Sequence, residues 1–315
     1  MSSEPVLIVG SVAFDTLHNP FGTFPRVLGG SGTYAALAAS LFARSRLVGV
    51  VGDDYPEATL AGFRERGIDT EGVERVAGPS FHWEGRYSDD LASRETVKTE
   101  LNCLGDFHPK LPDAYRQSRF VMLGNVAPAL QMEALEQLTG APALVVADTM
   151  NFWIDGARDD LGALLRRIDM LVLNEEEGQQ LSGEKNIVKV GRALRGMGPK
   201  MVVVKRGEYG ALLFDDQDDI FSAPAYPVDE VRDPTGAGDS FAGGLVAYLA
   251  SCNALDPDQL RRAIVYGSAV ASFCVEGVAV ERLEAISRQH VDQRFERFRR
   301  LAHFERPEEV RASAT

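Results

Sequence analysis

The sequence has few cysteines, no clustered histidines and no long hydrophobic run. Its three cysteines, Cys103, Cys252 and Cys274, are far apart and odd in number, so they give neither a disulfide framework nor a CxxC metal site and are typical of a reducing compartment. No apolar run approaches the roughly 18 residues of a membrane-spanning helix. The N-terminus "MSSEPVLIVG" lacks the basic region of a signal peptide. These absences predict a globular cytoplasmic protein.

Basic residues are scarce relative to acidic ones. The chain has 33 Lys and Arg against 46 Asp and Glu, for a formal net charge of -13. This excess of negative charge disfavours binding to nucleic acid or to an anionic membrane, because both need clustered basic side chains. A small phosphorylated ligand is compatible with the charge, since it needs only a local site.

Two familiar nucleotide-binding motifs are missing as well. The chain contains no Gly-Lys dipeptide, which excludes a Walker A loop. The first predicted strand is followed by "GSVAFD", which lacks the glycine spacing of a dinucleotide fingerprint. A nucleotide, if bound, must therefore be held by another device.

Short apolar runs alternate with segments of helical spacing along most of the chain. The predicted buried strands are Val6–Gly10, Phe120–Gly124, Leu144–Asp148, Met170–Asn174 and Met201–Lys205. The predicted helices are Gln131–Leu138, Leu161–Ile168 and Val188–Met197. This alternation predicts an α/β fold with a mostly parallel sheet covered by helices.

Two segments depart from that alternation. Within residues 71–104, Phe81, Trp83 and Tyr87 of "FHWEGRY" alternate with polar residues, and "TVKTELN" has similar β character. We expect a small group of inserted strands there, which form either a lid over a cleft or an ordinary edge hairpin. Residues 283–315 are charged and partly helical, which indicates a surface helix followed by a tail.

The stretch "RDPTGAGDSFAGG", residues 232–244, contains a turn of small residues and glycines, with Asp239 directly after it. The apolar run that follows predicts a buried helix. N–H groups at a helix N-terminus lack helical partners and favour negative charge. Glycines also allow the backbone to approach a ligand closely. The turn therefore predicts a socket for an anion such as a phosphoryl group.

Two roles remain open for Asp239 on these grounds. It could be the N-cap of the helix, since aspartate is a preferred capping residue. It could instead be a general base that takes a proton from an attacking hydroxyl while the socket holds the phosphoryl group.

Four motifs in order resemble the ribokinase-like, or PfkB, carbohydrate kinase family. "DPTGAGDSFAGG" is similar to its C-terminal signature, and "LGGSGTYAALAASLFA" followed by "LVGVVGDD" is similar to its N-terminal signature. "GSVAFD" and "NEEE" also fall in family order, so the resemblance covers roughly residues 5–280. It implies a three-layer α/β/α sandwich with a small β-strand lid, with the kinase domain over residues 1–282 and lid strands at about 71–104.

The resemblance implies the chemical roles of the turn. Asp239 would be the general base, and the backbone of Gly236, Ala237 and Gly238 would be the anion hole for the phosphoryl oxygens. Asn174 and Glu177 match the family motif that acts on Mg²⁺ and phosphate, with Glu177 acting through water. The alternative for "NEEEG" is a solvated acidic helix start.

The resemblance also implies where substrates bind. The acceptor site would contain Asp15, whose carboxylate would hold sugar hydroxyls, together with Gly29, Gly30, Tyr34 and Asn125. Tyr34 replaces a polar asparagine of many sugar-specific members, so its ring could narrow the site, stack on a base or face the core. Lys205, Arg206 and Gly207 would contact the nucleotide, although Arg206 could equally be a solvated surface side chain. Asp233 and Thr235 fall where the family holds a monovalent cation such as K⁺.

Together these features favour an ATP- and Mg²⁺-dependent kinase that phosphorylates a hydroxyl of a small sugar or sugar derivative. A nucleoside such as adenosine is the alternative acceptor. A sensor without catalysis is a third reading, and it would require loss of the base or the anion hole, both of which are present in the sequence. We also expect a homodimer formed through the lid strands, because an exposed strand face is otherwise prone to aggregation.

Overall fold

The computed structural model describes residues 4–301 of the chain. Thirteen strands run through these residues: β1 (Val6–Val9), β2 (Ala13–Asn19), β3 (Gly22–Gly29), β4 (Ser45–Val51), β5 (Ile68–Arg75), β6 (Phe81–Tyr87), β7 (Arg94–Glu100), β8 (Phe120–Leu123), β9 (Leu144–Asp148), β10 (Met170–Asn174), β11 (Met201–Lys205), β12 (Ala211–Phe214) and β13 (Ile220–Ala223).

The α-helices of the same region are α1 (Ser31–Ser40), α2 (Glu57–Glu65), α3 (Pro128–Glu136), α4 (Asn151–Gly156), α5 (Arg158–Leu165), α6 (Glu175–Ser182), α7 (Ile187–Arg195), α8 (Ala237–Cys252), α9 (Pro257–Cys274), α10 (Glu281–Ala285) and α11 (Arg288–Leu301). Within residues 4–301 no helix has both the length and the apolar character needed to cross a bilayer.

The large sheet has nine strands in the order β13-β12-β11-β10-β9-β8-β1-β4-β5. The seven strands from β11 to β5 pair in parallel, and β12 and β13 add to one edge in antiparallel fashion. The central strands are continuous apolar runs because they are buried on both faces. All five strands predicted from such runs lie in this sheet.

Helices cover both faces of the large sheet and form two hydrophobic cores. On one face α1, α8 and α9 pack on residues such as Ile8, Met122 and Val172. On the other face α3, α5, α6 and α7 pack on their neighbours, such as Leu7, Val121 and Leu173. Successive strand residues point to opposite faces, so one strand supplies both cores. The result confirms the predicted α/β sandwich.

The three predicted helices are present as α3, α5 and α7, but each begins earlier and ends earlier than predicted. Apolar spacing places the ends of a helix only approximately, and the polar first turn of α5, residues 158–160, carries no such signal. In the C-terminal segment, α11 buries Val291 and Phe298 against the core around α9. The expected tail beyond residue 301 lies outside the described residues.

A smaller sheet of order β3-β2-β6-β7 lies beside the large one. Its strands β6 and β7 come from the segment that was predicted to supply inserted strands. Its other half is the β2–β3 hairpin, residues 13–29, which joins β6 through a parallel β2–β6 pair. Residues 71–75 belong to β5 at the edge of the large sheet. We call the four-stranded sheet the lid.

Candidate active site

The carboxyl ends of three neighbouring strands place polar side chains along one edge of the large sheet. Asp148 ends β9, Asn174 ends β10 and Lys205 ends β11. β10 pairs in parallel with both neighbours, so these ends lie side by side. Ligands of open α/β sheets bind outside the carboxyl ends of the strands. This edge is therefore the candidate site.

The glycine-rich turn begins helix α8 at this edge. Gly236 is the N-cap, with a φ of 72°, a left-handed conformation that glycine adopts without strain. A side chain at Gly236 would overlap the ring of Tyr34, which lies directly behind it. Asp239 lies in the first turn of α8, and no side chain caps the helix. Gly236 thus takes the N-cap position that was one of the two roles open for Asp239.

Asp239 has an unusually basic carboxylate. Burial and, next, the negative charge of Asp148 raise the pKa of Asp239 to about 7, against the opposing effects of Lys205 and Arg94. A carboxyl group with a pKa near the working pH can accept a proton from a hydroxyl and release it again. This is the property that a general base at neutral pH requires.

Lys205 brings a positive charge to the turn. Its Nζ lies 3.1 Å from Oδ2 of Asp148, and its side chain is 17% exposed. Burial alone would lower the pKa of Lys205, but the charges of Asp148, Glu177 and Asp239 raise it above its ordinary value, so the ammonium is protonated. A Cβ atom at Gly238 would lie 2.8 Å from this Nζ. The lysine therefore lies where it can contact an anion held by the turn.

Asn174 and Glu177 form a capping box at the start of α6. Oδ1 of Asn174 accepts from the backbone N–H of Glu177 at 2.8 Å, and Oε2 of Glu177 accepts from the N–H of Asn174 at 2.8 Å. Glu177 is buried, at 7% exposure, whereas Glu176 beside it is exposed. Burial, followed by the charge of Asp148, raises the pKa of Glu177 to about 7. The second carboxylate oxygen and the Asn174 amide nitrogen lie outside the capping box.

The lid contributes a second carboxylate. Asp15 lies within strand β2 and is 4% exposed. A side chain at Gly29, on the adjacent strand β3, would overlap the Asp15 carboxylate, so the glycine leaves room for it. Burial and then the charges of Asp233 and Asp239 raise the pKa of Asp15 to about 8. The negative charge of Asp239 therefore acts on Asp15.

Gly30 follows β3 of the lid as the N-cap of α1, and Asn125 follows β8 of the large sheet. Gly30 has a φ of 93°, and a side chain there would overlap the backbone carbonyl of Ser11. Oδ1 of Asn125 accepts from the indole N–H of Trp153 at 2.8 Å, and its Nδ2 lies 3.0 Å from Sδ of Met150. Because an indole nitrogen only donates, the amide orientation is fixed and its NH₂ is the donor.

Tyr34 lies in the core, although it was predicted among the substrate-binding residues. It is 1% exposed, and its ring supports Gly236 from below. Within residues 4–301 its hydroxyl has no hydrogen-bond partner. The position therefore lines the core behind the turn instead of the substrate pocket, because α1 is buried on all sides.

Arg206 and Gly207 follow Lys205 at the end of β11. The Nε of Arg206 donates to Oε2 of Glu175 at 2.8 Å, and its guanidinium lies 5.7 Å from the ring centre of Tyr209. Gly207 begins a short 3-10 turn. The structure thus places Arg206 next to the site, partly exposed and within an ion pair.

Asp233 and Thr235 brace the turn from the other side. Both oxygens of Asp233 accept backbone N–H groups, from Thr235 at 2.9 Å and from Ala279 at 2.8 Å. Oγ1 of Thr235 lies 2.7 Å from the hydroxyl of Tyr87 in the lid. These bonds connect the turn to the loop after α9 and to β6.

Three residues of the site are not predicted as site residues by the sequence. Asp148 ends a strand that was predicted correctly, so its place at the sheet edge was visible, but its contact with Lys205 was not. Tyr87 was marked only as part of an alternating strand. Arg94 carries no local signal, yet its charge lowers the pKa of Asp15, Asp239 and Glu177.

The chain is similar to nucleoside kinases along most of its length. It is 29% identical to a cytidine kinase of Thermococcus kodakarensis over 77% of this chain and 87% of that protein. It is 28% identical to a nucleoside kinase of Methanothermobacter thermautotrophicus over 86% of this chain and 89% of that protein. Among solved structures, a ribokinase of Giardia lamblia superposes with a TM-score of 0.79 at 22% identity, covering 94% of this chain and all (100%) of that one.

The family model of the pfkB family carbohydrate kinases matches residues 5–282. That range includes the turn, the strand-end residues and the whole lid. It also confirms the family to which the sequence motifs pointed. The chain belongs to the pfkB family of carbohydrate kinases and is a phosphotransferase.

Proposed function

We propose that the protein transfers the γ-phosphoryl group of ATP to a hydroxyl on the sugar of a nucleoside. One observation carries the proposal for the chemistry: the basic carboxylate of Asp239 lies in the same helix turn as an anion-binding N-terminus, with the ammonium of Lys205 beside it. Base, anion socket and cation are the parts that phosphoryl transfer needs, since its catalysis is mostly positioning and neutralisation of charge.

In the proposed mechanism Asp239 accepts the proton of the acceptor hydroxyl as that oxygen attacks the γ-phosphorus. The new O–P bond forms while the bond to the β-phosphate bridging oxygen breaks, and ADP leaves. The N–H groups of Gly236, Ala237 and Gly238 and the ammonium of Lys205 neutralise the charge on the phosphoryl oxygens. Asp239 then releases its proton to solvent, which a pKa of about 7 still allows near neutral pH.

Mg²⁺ would supply further neutralisation of the phosphate charge when bound. Within residues 4–301 no three acidic, histidine or cysteine side chains converge to hold a metal ion by themselves. This fits an ion that keeps several waters and is held through substrate phosphates. Glu177 and Asn174 would orient those waters and phosphates. The K⁺ site at Asp233 and Thr235 stays a prediction, and Asp233 already accepts two backbone N–H groups.

Asp15 would hold the acceptor, because a carboxyl group can form hydrogen bonds with two neighbouring hydroxyls, donating through its O–H when it is protonated and accepting through its other oxygen. A nucleoside is preferred over a free sugar because a cytidine kinase and a nucleoside kinase each match at least 77% of both chains. A free sugar or sugar derivative is the second candidate acceptor, favoured by the carbohydrate kinase family as a whole. Intact base and anion-hole residues favour an enzyme over a sensor.

The homodimer also remains a proposal. Strand β7 forms one edge of the lid, and residues 94–99 are exposed along it. An open edge of this kind can pair with a second copy of the chain. A monomer in light scattering at micromolar concentration would count against it.

The function is tested by ADP release from ATP and Mg²⁺ with a panel of nucleosides, pentoses and hexoses. We expect turnover on a nucleoside, and we expect Asp239→Asn to lower kcat by at least about a hundredfold with little change in binding. Asp256→Asn is the matched control, because Asp256 caps the next helix, α9, away from the turn. Retained turnover in Asp239→Asn would contradict the base assignment, and a silent panel would contradict the kinase.

A further inference from the structure

Asp148 and Lys205 form a buried ion pair between strands that are not neighbours. Lys205 ends β11 and Asp148 ends β9, with β10 between them. Adjacent strands are about 4.8 Å apart, so the lysine side chain crosses the end of β10 to reach Asp148. The pair is 3.1 Å long, and the two side chains are 17% and 7% exposed.

The crossing brings the ammonium to the phosphoryl-binding turn. A Cβ atom at Gly238 would lie only 2.8 Å from Nζ of Lys205. The missing side chain at Gly238 therefore leaves space for the ammonium beside the turn. The first turn of α8 is itself positive because of its unpaired N–H groups. Two positive groups at one point need a counter-ion, and the carboxylate that bonds Nζ is that of Asp148.

Asp148 is fixed independently of the lysine. Its Oδ1 accepts from the N–H of Thr149 at 2.8 Å, and its backbone carbonyl accepts from Nε2 of Gln131 at 3.1 Å. Gln131 is 1% exposed, and its Nε2 also donates to the carbonyl of Gly124 at 2.7 Å. The carboxylate therefore has a defined position, toward which the lysine side chain extends.

Two other carboxylates compete for the same ammonium. The charges of Glu177 and Asp239 also act on Lys205, after the stronger effect of Asp148. Without Asp148 the ammonium would be drawn toward Glu177 and Asp239, and Asp239 is the residue that must stay free to accept a proton. Asp148 thus keeps the cation beside the turn and away from the base.

We propose that Asp148 is a positioning residue that holds the Lys205 ammonium in the path of the transferring phosphoryl group. The inference rests on the proposed kinase function. It assigns Asp148 no contact with the acceptor, so the acceptor KM is expected to stay within about threefold of wild type when Asp148 is changed.

The test is a double-mutant cycle of Asp148→Asn and Lys205→Met, measured as kcat and KM with ATP and the best acceptor. Asparagine keeps the acceptor for the Thr149 N–H but not the charge. We expect kcat to fall at least about tenfold in Asp148→Asn and further in Lys205→Met, with the double variant no slower than Lys205→Met alone. Losses that multiply in the double variant would overturn the proposal, because they would mean that the two residues act separately.

Asp148→Glu separates positioning from a mere need for negative charge. The charge stays, but the extra methylene moves the carboxylate and with it the ammonium. We expect kcat to fall about tenfold while the melting temperature stays near that of wild type. Full kcat in this variant would overturn the proposal, and the variant serves also if Asp148→Asn does not fold.

The pair Lys200–Asp169 is the matched control. It has the same 3.1 Å length, but Lys200 is exposed and Asp169 is half-buried, and Asp169 lies at the opposite end of β10. Asp169→Asn is expected to leave kcat within about twofold of wild type. A wild-type enzyme that is silent with every acceptor would contradict the proposed function, whereas an active wild type with an equally active Asp148→Asn would contradict only this inference.

Discussion

The hydroxyl of Tyr87 lies 2.7 Å from Oγ1 of Thr235, and this bond joins the lid to the glycine-rich turn at the start of α8. Tyr87 ends β6, while Thr235 directly precedes Gly236. Both side chains are buried. The position of the lid and the geometry of the turn are therefore coupled through this buried hydrogen bond, beside a more exposed one from Nδ2 of Asn19 to the carbonyl of Arg232 at 3.1 Å.

Tyr87→Phe should uncouple the lid from the turn. The ring stays, but Thr235 keeps a buried hydroxyl without a partner, so the free energy of unfolding should fall by about 1 kcal/mol. We expect kcat to fall roughly threefold to tenfold and ATP hydrolysis without acceptor to increase, because a loosened lid admits water. Urea unfolding and ADP release, with and without acceptor, measure these effects.

Tyr266→Phe is the control for lost stability alone. The Tyr266 hydroxyl donates to Oδ1 of Asp292 at 2.9 Å, between α9 and α11, and Tyr266 is as buried as Tyr87, at 8% exposure. This variant should lose similar stability and keep its turnover. Equal losses of turnover in both variants would show that the Tyr87 bond has no role in the site.

Gly236→Ala should lower the free energy of unfolding by more than the backbone strain at this position alone. The conformation of Gly236, φ 72° and ψ 2°, strains any other residue by about 1–2 kcal/mol. The added methyl would also overlap the Tyr34 ring, so the turn must move. We expect a loss of at least about 3 kcal/mol in unfolding free energy and of at least about a hundredfold in kcat.

Gly183→Ala is the matched control for backbone strain. Gly183 has nearly the same conformation, φ 75° and ψ 2°, at the end of α6, and no atom lies within 4 Å of an added Cβ. Its variant should lose only about 1 kcal/mol and keep full turnover. If both variants lost the same free energy of unfolding, the contact with Tyr34 would not matter.

Local sequence signals were sufficient for the large sheet and the turn. Strands such as Met201–Lys205 are predicted from their apolar runs. The glycines of the turn indicate that the backbone can approach a ligand closely. The β2–β3 half of the lid has no such signal: it pairs in parallel with β6 across a long stretch of chain, and Pro25 interrupts the β pattern of β3. Long-range pairing of this kind is set by the tertiary fold.

The contacts between residues of the site could not be predicted from the sequence either. Tyr34 is far from Gly236 in sequence, so its place beneath the turn depends on how α1 packs on α8. The reach of Lys205 to Asp148 depends on the strand order, which places β10 between them. Composition and spacing give the residue types, whereas these contacts come from topology.

Asp15→Asn should change how stability depends on pH. Its pKa rises from 3.8 to about 8 on folding, mainly through burial. Between these values the folded state holds a proton that the unfolded state has lost, so stability falls as pH increases from about 4 to 8. The variant lacks this group, and its unfolding free energy should decline less over that range. It should also bind the acceptor weakly, because the hydroxyl partner is lost.

Urea unfolding at several pH values from 5 to 8 measures the effect of Asp15. Asp113→Asn is the control, because the Asp113 side chain is 96% exposed, and its variant should follow the wild-type pH dependence. A wild-type slope in Asp15→Asn would contradict the raised pKa. An unchanged acceptor KM would contradict the binding role.

Arg94→Gln should slow catalysis by removing a lid cation from the site. Arg94 lies directly opposite Tyr87 in the β6–β7 pair, so both side chains project from the same face of the lid. Its charge lowers the pKa of Asp15, Asp239 and Glu177. Without that charge the pKa of Asp239 should rise further. The base must be deprotonated to act, so the pH of half-maximal kcat should shift upward.

Arg86→Gln tests whether the effect of Arg94 on kcat depends on the face of the lid from which the side chain projects. Arg86 immediately precedes Tyr87 on β6, so its side chain points to the opposite face, away from the turn, and it is exposed. We expect kcat to fall at least about tenfold in Arg94→Gln and to stay near wild type in Arg86→Gln, with the pH profile shifted only in the former. If the two variants had equal pH profiles of kcat, a guanidinium on either face of the lid would serve the transferring phosphoryl group equally well. The lid would then contribute only general positive charge.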